Sequence, residues 1–277
     1  MEPPLTRPPA RQMSLAHLTV LDTTPPELVT AAAAAGFSTI GIRLTATSSV
    51  GIPPYDMLKD GPLLRETLRR LADTGVSVLD TEFLRFEPEH PLGVPEGFLE
   101  VSARLGARHV LVMSAEPEEA RTVERFCELC DGAAPYGLTV GLEFAIYTGV
   151  KTLAQAAQVV ALSRRANASV LVDALHFSRS GGMPAHLAEV DATRLPYAQI
   201  CDASAEMPVD VPGLIREART GRLLPGEGAL PLRELVAALP PGVPLAVEAP
   251  CRATAQLPAE ERAKRAYQAL SGLLGAT

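Results

Sequence analysis

The chain has 277 residues, of which 47% are hydrophobic and 21% are charged, and its formal net charge at pH 7 is −7. This composition is typical of a globular protein, whereas the acidic balance and the scattered Lys and Arg argue against nucleic-acid binding, which needs a basic stripe. No apolar stretch approaches the roughly 20 residues of a membrane-spanning helix. Four cysteines in a chain of this length do not suggest a disulfide framework, so we expect a cytoplasmic protein.

The first residues differ in composition from the rest of the chain. Residues 1–12 are rich in Pro and Arg and contain no apolar core. They lack the hydrophobic run of a secretory signal. The sequence therefore predicts a disordered tail over residues 1–12 and a single domain over residues 13–277.

Strand-like and helix-like segments alternate through the first half of the chain. Short apolar runs predict strands, and apolar residues at helical spacing before a Gly predict helices. The predicted strands cover residues 17–21, 37–44, 76–83 and 109–113. The predicted helices cover residues 27–35, 63–74, 96–105 and 118–135.

The second half of the chain continues this alternation. Its predicted strands cover residues 139–143, 169–173, 196–201 and 245–248. Its predicted helices cover residues 153–165, 184–189, 211–219, 232–239 and 259–274. Eight strand-and-helix units predict an α/β fold, the (β/α)8 TIM barrel, for which roughly 250 residues is typical. A doubly wound dinucleotide-binding sheet is the alternative, but the segment after the first predicted strand has no Gly for a phosphate-binding turn.

Polar side chains follow four consecutive predicted strands at or near their ends. Glu143, Asp173 and Glu248 end three of these strands, and Gln199 lies near the end of the fourth. Strand ends of a barrel converge on the face where barrel enzymes carry their chemistry. Three carboxylates there would repel one another unless a cation lies between them. Oxygen ligands favour Mn²⁺ or Mg²⁺, with Zn²⁺ and Co²⁺ as alternatives. Taken singly, each acid could equally cap a helix or pair with an Arg.

The motifs around these residues resemble a known family. They are Gly-Leu-Glu143-Phe, Val-Asp173-Ala-Leu-His176, Gln199-Ile-Cys-Asp202, Pro-Gly226-Glu227-Gly228 and Val-Glu248. From about residue 17 to residue 274, the chain resembles the xylose isomerase-like barrels of the sugar phosphate isomerase/epimerase superfamily. The resemblance implies one divalent metal ion held by Glu143, Asp173, Gln199 and Glu248. Gln199 stands where His is more common, which favours Mn²⁺ or Mg²⁺ further, or else indicates that the metal has been lost.

The resemblance also implies an activity on a small-molecule substrate. The metal would polarise a carbonyl of a small sugar or polyhydroxy-ketone, and Glu143 and Glu248 would move a proton beside it, as an isomerase or epimerase does. His176 would contact a substrate oxygen, or merely begin a helix. The first alternative is a lyase of the inosose or 3-dehydroshikimate dehydratase type on the same site, with His176 as acid. The second alternative is a non-catalytic barrel without metal.

Other members of the superfamily set limits on this expectation. Apurinic endonucleases need more His ligands and a basic groove, so nucleic acid is not an expected partner. Many members form homodimers or homotetramers, which the resemblance implies here as well. A membrane partner is not expected.

Four further residues are candidates for the substrate pocket. Glu82 ends the third predicted strand and Arg43 lies on the second, so both either line the pocket or form an ion pair with each other. Arg252 follows Glu248 by four residues and would bind a substrate carboxylate or phosphate, or else lie on the surface. Glu227 belongs to the Pro-Gly-Glu-Gly loop, which in the family shapes the pocket.

Overall fold

The computed structural model describes residues 11–46, 54–89 and 94–275. Within this part of the chain there are ten strands: β1 Met13–Leu15, β2 Thr39–Arg43, β3 Thr45–Ala46, β4 Tyr55–Asp56, β5 Ser77–Phe86, β6 His109–Ser114, β7 Thr139–Glu143, β8 Ala168–Asp173, β9 Ala198–Ile200 and β10 Leu245–Val247. The short strands β3 and β4 pair with each other as an antiparallel hairpin in the loop that follows β2.

Nine α-helices surround these strands in the described part of the chain. They are α1 Pro25–Ala35, α2 Pro62–Thr74, α3 Phe98–Arg104, α4 Glu119–Ala133, α5 Leu153–Ser163, α6 Ala174–Arg179, α7 Val211–Thr220, α8 Leu232–Ala238 and α9 Ala259–Gly275. Among the described residues, none of these helices is both long and apolar enough to cross a membrane.

Eight of the strands close into a barrel. Their order around it is β1-β10-β9-β8-β7-β6-β5-β2, and all eight neighbouring pairs are parallel. This closed parallel order confirms the predicted (β/α)8 barrel. Because all strands run the same way, their C-terminal ends meet at one rim.

Apolar side chains fill two separate regions of the barrel. Alternate strand residues such as Val110, Val112 and Val140 join the helices in the large core, since successive side chains of a strand point to opposite faces. The intervening positions, among them Leu111 and Leu171, form a smaller cluster in the barrel interior. The interior also holds polar and charged side chains, and the candidate site is built from these.

The prediction of a first strand over residues 17–21 is wrong. The first strand is β1, and His17–Val20 forms a 3₁₀ turn just after it. Side chains of this turn bond the backbone: His17 Nδ1 accepts from the Arg43 N–H (3.1 Å), and Thr19 Oγ1 donates to the Val247 carbonyl (2.9 Å). Such side-chain bonds compete with a strand ladder, although the β-branched run alone favours one.

The end of the predicted tail contacts the barrel. Residues 1–10 lie outside the described residues. Arg11 donates hydrogen bonds to carbonyls at the end of α8 and in the following loop, including that of Pro240 (2.9 Å), and the carbonyl of Gln12 accepts from Leu245 N–H (2.9 Å). Arg11 and Gln12 are therefore part of the barrel's N-terminal face.

Candidate active site

The four strand-end residues lie at the barrel rim and are buried. Glu143 and Asp173 are the last residues of β7 and β8, Gln199 lies in β9, and Glu248 directly follows β10. Asp173 and Gln199 are fully buried, and Glu143 and Glu248 are 5% and 6% exposed. Gln199 Nε2 donates a hydrogen bond to Glu248 Oε1 at 3.2 Å. Two of the four predicted ligands, Gln199 and Glu248, are thus in direct contact.

Asp173 has two structural roles. It ends β8 and also caps α6, because its Oδ1 accepts the His176 backbone N–H at 2.9 Å. This immediate passage from strand to helix brings His176 back toward the rim, where its Nε2 lies 3.8 Å from Glu143 Oε1. Ligand atoms of Glu143, Asp173 and His176 all lie within 4.8 Å of one another.

Arg222 is a site residue that the sequence analysis did not identify. Its guanidinium is buried and contacts Asp173 Oδ2 at 2.5 Å and Glu248 Oε2 at 3.0 Å. It also lies 3.5 Å from His176 Nε2. The guanidinium of Arg222 therefore bridges two of the predicted metal ligands and approaches His176.

The loop after α7 delivers Arg222 to the rim. Arg222 Nε donates to the Ala218 carbonyl (2.9 Å), and the next residue, Leu223, pairs with Asp202 through two backbone hydrogen bonds of 2.8 Å. The Asp202 carboxylate then accepts three backbone N–H groups, those of Ala203, Gly226 and Leu230. Asp202 and the Pro-Gly-Glu-Gly loop thereby hold the segment that carries Arg222.

The electrostatics of the rim are dominated by buried negative charge. Burial raises the pKa of Glu143 well above its usual range, and the nearby Glu248 and Asp173 raise it further. Burial also raises the pKa of Glu248 to about 8. Arg222 opposes that shift, but its charge is shared with Asp173, and the carboxylates of Glu82 and Asp173 act in the other direction.

Asp173 and His176 differ from these two acids. Burial alone would raise the pKa of Asp173, but Arg222 and the His176 contacts outweigh it and lower the pKa. Burial, with a smaller effect of Arg222, lowers the pKa of His176 to about 4 against the opposing effect of Asp173. Asp173 is therefore ionised at pH 7. His176 is neutral, so its unprotonated ring nitrogen can accept a hydrogen bond or ligate a metal ion.

The residues at the rim fit a divalent cation. Five buried carboxylates influence one another's ionisation: Asp80, Glu82, Glu143, Asp173 and Glu248. Among the described residues, Arg222 and Arg43 are the arginines that contact them. In addition, Gln199 Oε1 is buried and has no hydrogen-bond partner among the residues that the structure describes. Surplus negative charge, an unpaired amide oxygen and a neutral imidazole are a donor set that Mn²⁺, Zn²⁺ or Mg²⁺ accepts.

The predicted pocket residues fall into two groups. Glu82 is buried in the interior and pairs with Arg43, whose Nε lies 3.5 Å from Glu82 Oε2, so of the two alternatives the ion pair is observed. Glu227 is exposed, and its Oε2 accepts the Leu224 N–H of its own loop at 3.3 Å. Arg252 is exposed in a 3₁₀ turn after β10. The structure brings Glu82 and Arg43 toward the site. Glu227 is exposed on its own loop, whereas Arg252 lines a cavity together with Arg222.

Tyr147 is a second residue that the sequence analysis did not identify. It lies in the loop after β7, half-buried, with its ring edge-on to His176 at a centroid distance of 5.6 Å. A signal for Arg222 was present in the sequence, since Arg222 lies three residues before the Pro-Gly226-Glu227-Gly228 motif. For Tyr147 the sequence offers only its position four residues after Glu143.

The fold and the rim define a class of parallel (β/α)8 barrel with a buried acidic cluster at the C-terminal ends of its strands. The family model of xylose isomerase-like TIM barrels matches residues 29–273 of the chain. The chain belongs to this family. The predicted resemblance is confirmed, and it covers most of the barrel.

Individual relatives agree with this assignment. An inosose isomerase of Bacillus licheniformis is 29% identical over 147 residues, which is 50% of this chain and 51% of that protein. The chain thus spans about half the length of the curated relatives it matches, and these relatives are isomerases.

Solved structures share the fold over nearly the whole chain. A crystal structure of the IolI protein with a bound zinc atom superposes with a TM-score of 0.80 at 23% identity, covering 96% of this chain and 98% of that one. A probable 3-DHS dehydratase, AsbF from Bacillus anthracis, superposes with a TM-score of 0.71 at 16% identity, covering 94% and 98%. At such identities the likeness concerns the fold.

Proposed function

We propose that the protein is a divalent-metal-dependent isomerase or epimerase acting on a small sugar or polyhydroxy-ketone. The observation that carries the proposal is the buried group of Glu143, Asp173 and His176, whose ligand atoms lie within 4.8 Å of one another in a surplus of negative charge. The half-length similarity to inosose isomerases supports the same class of reaction.

Glu143, Asp173, Gln199 and Glu248 would hold the metal ion, with His176 close enough to join them. When bound, a divalent cation polarises a substrate carbonyl as a Lewis acid and makes the neighbouring C–H more acidic. In the described part of the chain arginine pairs with Asp173 and Glu248 but not with Glu143, so the Glu143 carboxylate is the group best placed to accept that proton. Manganese or magnesium remains our preferred ion, because Gln199 contributes an oxygen donor.

Arg222 and His176 would contact the substrate oxygens. Negative charge develops on the carbonyl oxygen during proton abstraction, and a buried guanidinium beside it stabilises that charge. His176 is neutral, because burial lowers its pKa to about 4. A neutral imidazole accepts or donates a hydrogen bond to a substrate hydroxyl without adding charge.

The test is a substrate panel in D₂O with the Mn²⁺-loaded protein, covering ketoses, inososes, hydroxypyruvate and dehydroshikimate. We expect deuterium to appear at the carbon next to the carbonyl of at least one substrate, together with an isomeric product. An α,β-unsaturated chromophore would instead assign the dehydratase alternative. Absence of both exchange and product throughout the panel would contradict an enzymatic role, and D173N serves as the inactive control.

A further inference from the structure

The imidazole of His176 lies between three side chains at the rim. Its Nε2 atom is 3.8 Å from Glu143 Oε1 and 3.5 Å from Arg222 Nη2. The ring of Tyr147 is the third neighbour, with a centroid distance of 5.6 Å and an angle of 80° between the two ring planes. Aromatic rings attract each other in this edge-to-face arrangement. The His176 side chain is 5% exposed, so little of the imidazole reaches solvent.

The two polar contacts do not fix the orientation of this imidazole. Both are longer than the roughly 2.7–3.2 Å of a well-formed hydrogen bond. The torsion that turns a histidine ring about its Cβ–Cγ bond is broad, without a sharp rotamer minimum. The bond from the His176 backbone N–H to Asp173 fixes the backbone but not the ring. Of the contacts that the structure describes around the imidazole, packing against Tyr147 is therefore the one that restricts its rotation.

Tyr147 is itself held in place, because hydrogen bonds close the loop that carries it. Thr148 Oγ1 lies within hydrogen-bond distance of the carbonyls of Ala145 (2.8 Å) and Val150 (2.6 Å). The backbone N–H of Ala145 also donates to the Val150 carbonyl at 3.0 Å. Thr148 is buried, so water does not compete for these bonds. The loop from β7 to α5 is thus a compact turn with Tyr147 at a fixed position on it.

The same loop packs closely against the loop after β6. The Gly149 N–H donates to the Ser114 carbonyl at 2.8 Å. A Cβ atom built on Gly149 would lie 2.0 Å from the Glu116 carbonyl oxygen, so the two backbones are in direct contact. The Tyr147 side chain packs in addition against both apolar cores of the barrel. These contacts together keep the Tyr147 ring beside His176.

We propose that Tyr147 is a positioning residue, whose ring holds the imidazole of His176 in the orientation that contacts the substrate. The effect on turnover rests on the proposed function, whereas the fixed orientation of the imidazole does not. Burial raises the pKa of the Tyr147 phenol, and Glu143 raises it further, so this side chain is neutral at pH 7 and adds no charge to the rim. Tyr147 acts only through His176.

Nuclear magnetic resonance tests the fixed orientation without any substrate. Relaxation of the imidazole C–H groups measures the order parameter of the ring in protein equilibrated with Mg²⁺, which is diamagnetic, and the His176 signals are those missing from H176N. Y147L and Y147M keep apolar bulk but remove the aromatic ring, so we expect a lower order parameter for His176. Y147F should match the wild type. An unchanged order parameter in both Y147L and Y147M would overturn the proposal.

Tyr267 provides a matched control for loss of an aromatic pair. It lies half-buried in α9 and packs edge-on against Phe37, with a centroid distance of 5.2 Å and an angle of 87° between the planes. Y267L therefore removes the same kind of contact at another place in the fold. We expect it to leave the His176 order parameter and the turnover unchanged. A change in both as large as that in Y147L would show a general effect of packing and overturn the positioning role.

Kinetics on the substrate found in the panel test the consequence for catalysis. Y147L should lower kcat by about 10-fold, the most that one aromatic pair is expected to supply. Y147F should keep the wild-type kcat, because it retains the ring. An equal loss in Y147F and Y147L would assign the effect to the hydroxyl group and overturn the role of the ring.

A double-mutant cycle tests whether Tyr147 acts through His176. H176N removes the ring that Tyr147 positions, so Y147L in the H176N background should cause no further loss of turnover. A further loss equal to that of Y147L alone would show that the two residues act independently, which would overturn the positioning role.

Failure of the proposed function gives a different result. If the wild type converts no substrate of the panel, the effect on turnover falls together with the proposed function. The order parameter of His176 still decides the fixed orientation in that case, because its measurement needs no substrate.

Discussion

Arg222 supplies the positive charge that compensates two buried carboxylates at the ends of barrel strands. It contacts Asp173 at the end of β8 and Glu248 just after β10, and these two strands are not neighbours in the barrel. A buried ion pair contributes little net stability when it forms, but loss of one partner leaves an uncompensated buried charge. We therefore expect the stability of the protein, and the affinity of the proposed metal site, to depend on Arg222.

We expect R222M to be less stable than the wild type by about 3–5 kcal/mol in the absence of metal, since it breaks a buried ion pair. Saturating Mn²⁺ should recover part of this loss by neutralising the same carboxylates. Urea denaturation with and without Mn²⁺ measures both effects. R121M is the matched control, because Arg121 is half-exposed and pairs with Glu116 at 3.4 Å. An R222M variant as stable as the wild type without metal would contradict this account.

We expect Glu143 and Glu248 to contribute to chemistry more than to packing. E143Q and E248Q keep the side-chain volume but remove the charge, so the fold should persist while turnover falls by about 100-fold or more. Circular dichroism and kcat on the substrate found in the panel check the two parts. E227Q, at an exposed residue of the loop, should keep its activity. Substantial activity in E143Q would remove Glu143 from the role of base.

His109 makes the stability of the barrel sensitive to acid. It stacks on Tyr197 with a centroid distance of 4.8 Å, and burial lowers its pKa to about 4 from 6.5. Because the pKa of His109 is lower in the folded than in the unfolded state, the neutral residue contributes fully to the free energy of unfolding above pH 6.5. This contribution is lost as the pH falls toward 4.

H109F should remove this dependence, because Phe keeps the stacking and cannot ionise. The wild type should lose about 3 kcal/mol between pH 7 and pH 4 through this one group, and H109F should lose correspondingly less. Urea denaturation across that pH range measures the difference. Parallel stability curves for the two proteins would show that His109 does not titrate in this way.

The loop after α7 is the element on which the site depends most. It runs from Arg222 to Leu230, and the Asp202 carboxylate holds it by bonds to its backbone. Gly228 approaches Asp202 so closely that a Cβ there would collide with both the carboxylate and the Ala203 carbonyl. The Pro-Gly-Glu-Gly motif therefore acts on the site through Arg222, while its own Glu227 faces away.

We expect G228A to displace this loop, with a loss of about 1–3 kcal/mol in stability and a fall in activity as Arg222 leaves its partners. G272A is the control, because Gly272 lies in α9 with open space around its Cβ position. Alanine there should be neutral or stabilising. Thermal unfolding and turnover of both variants decide the point; a G228A protein with normal activity would separate the loop from the site.

The bounds of the strands and helices show which parts of the fold could be predicted from the sequence. Strand β7 was predicted with its observed bounds, and most other strands within a few residues, because a buried parallel strand is a continuous apolar run. The first strand was placed wrongly, since side-chain bonds from His17 and Thr19 to the backbone outweigh local β propensity. Helix α6 was missed because Asp173 serves as strand end and helix cap within one residue.

The architecture of the barrel explains why the strand-end residues of the site could be predicted from the sequence and the loop residues could not. Glu143, Asp173 and Glu248 end barrel strands, so the alternation of elements is sufficient to bring them together. The positions of Arg222 and Tyr147 depend on the paths of loops. The bend of a loop leaves no periodic signal in the sequence.

The negative charge of the barrel interior supports our proposal that the rim holds a divalent cation. Wild-type protein purified without chelator, and then equilibrated with Mn²⁺ and freed of excess, should contain one divalent ion per chain by elemental analysis. D173N should contain far less, while D131N, which changes an exposed acid paired with Arg165, should match the wild type. A negligible metal content in the wild type, even after addition of Mn²⁺, would contradict the account.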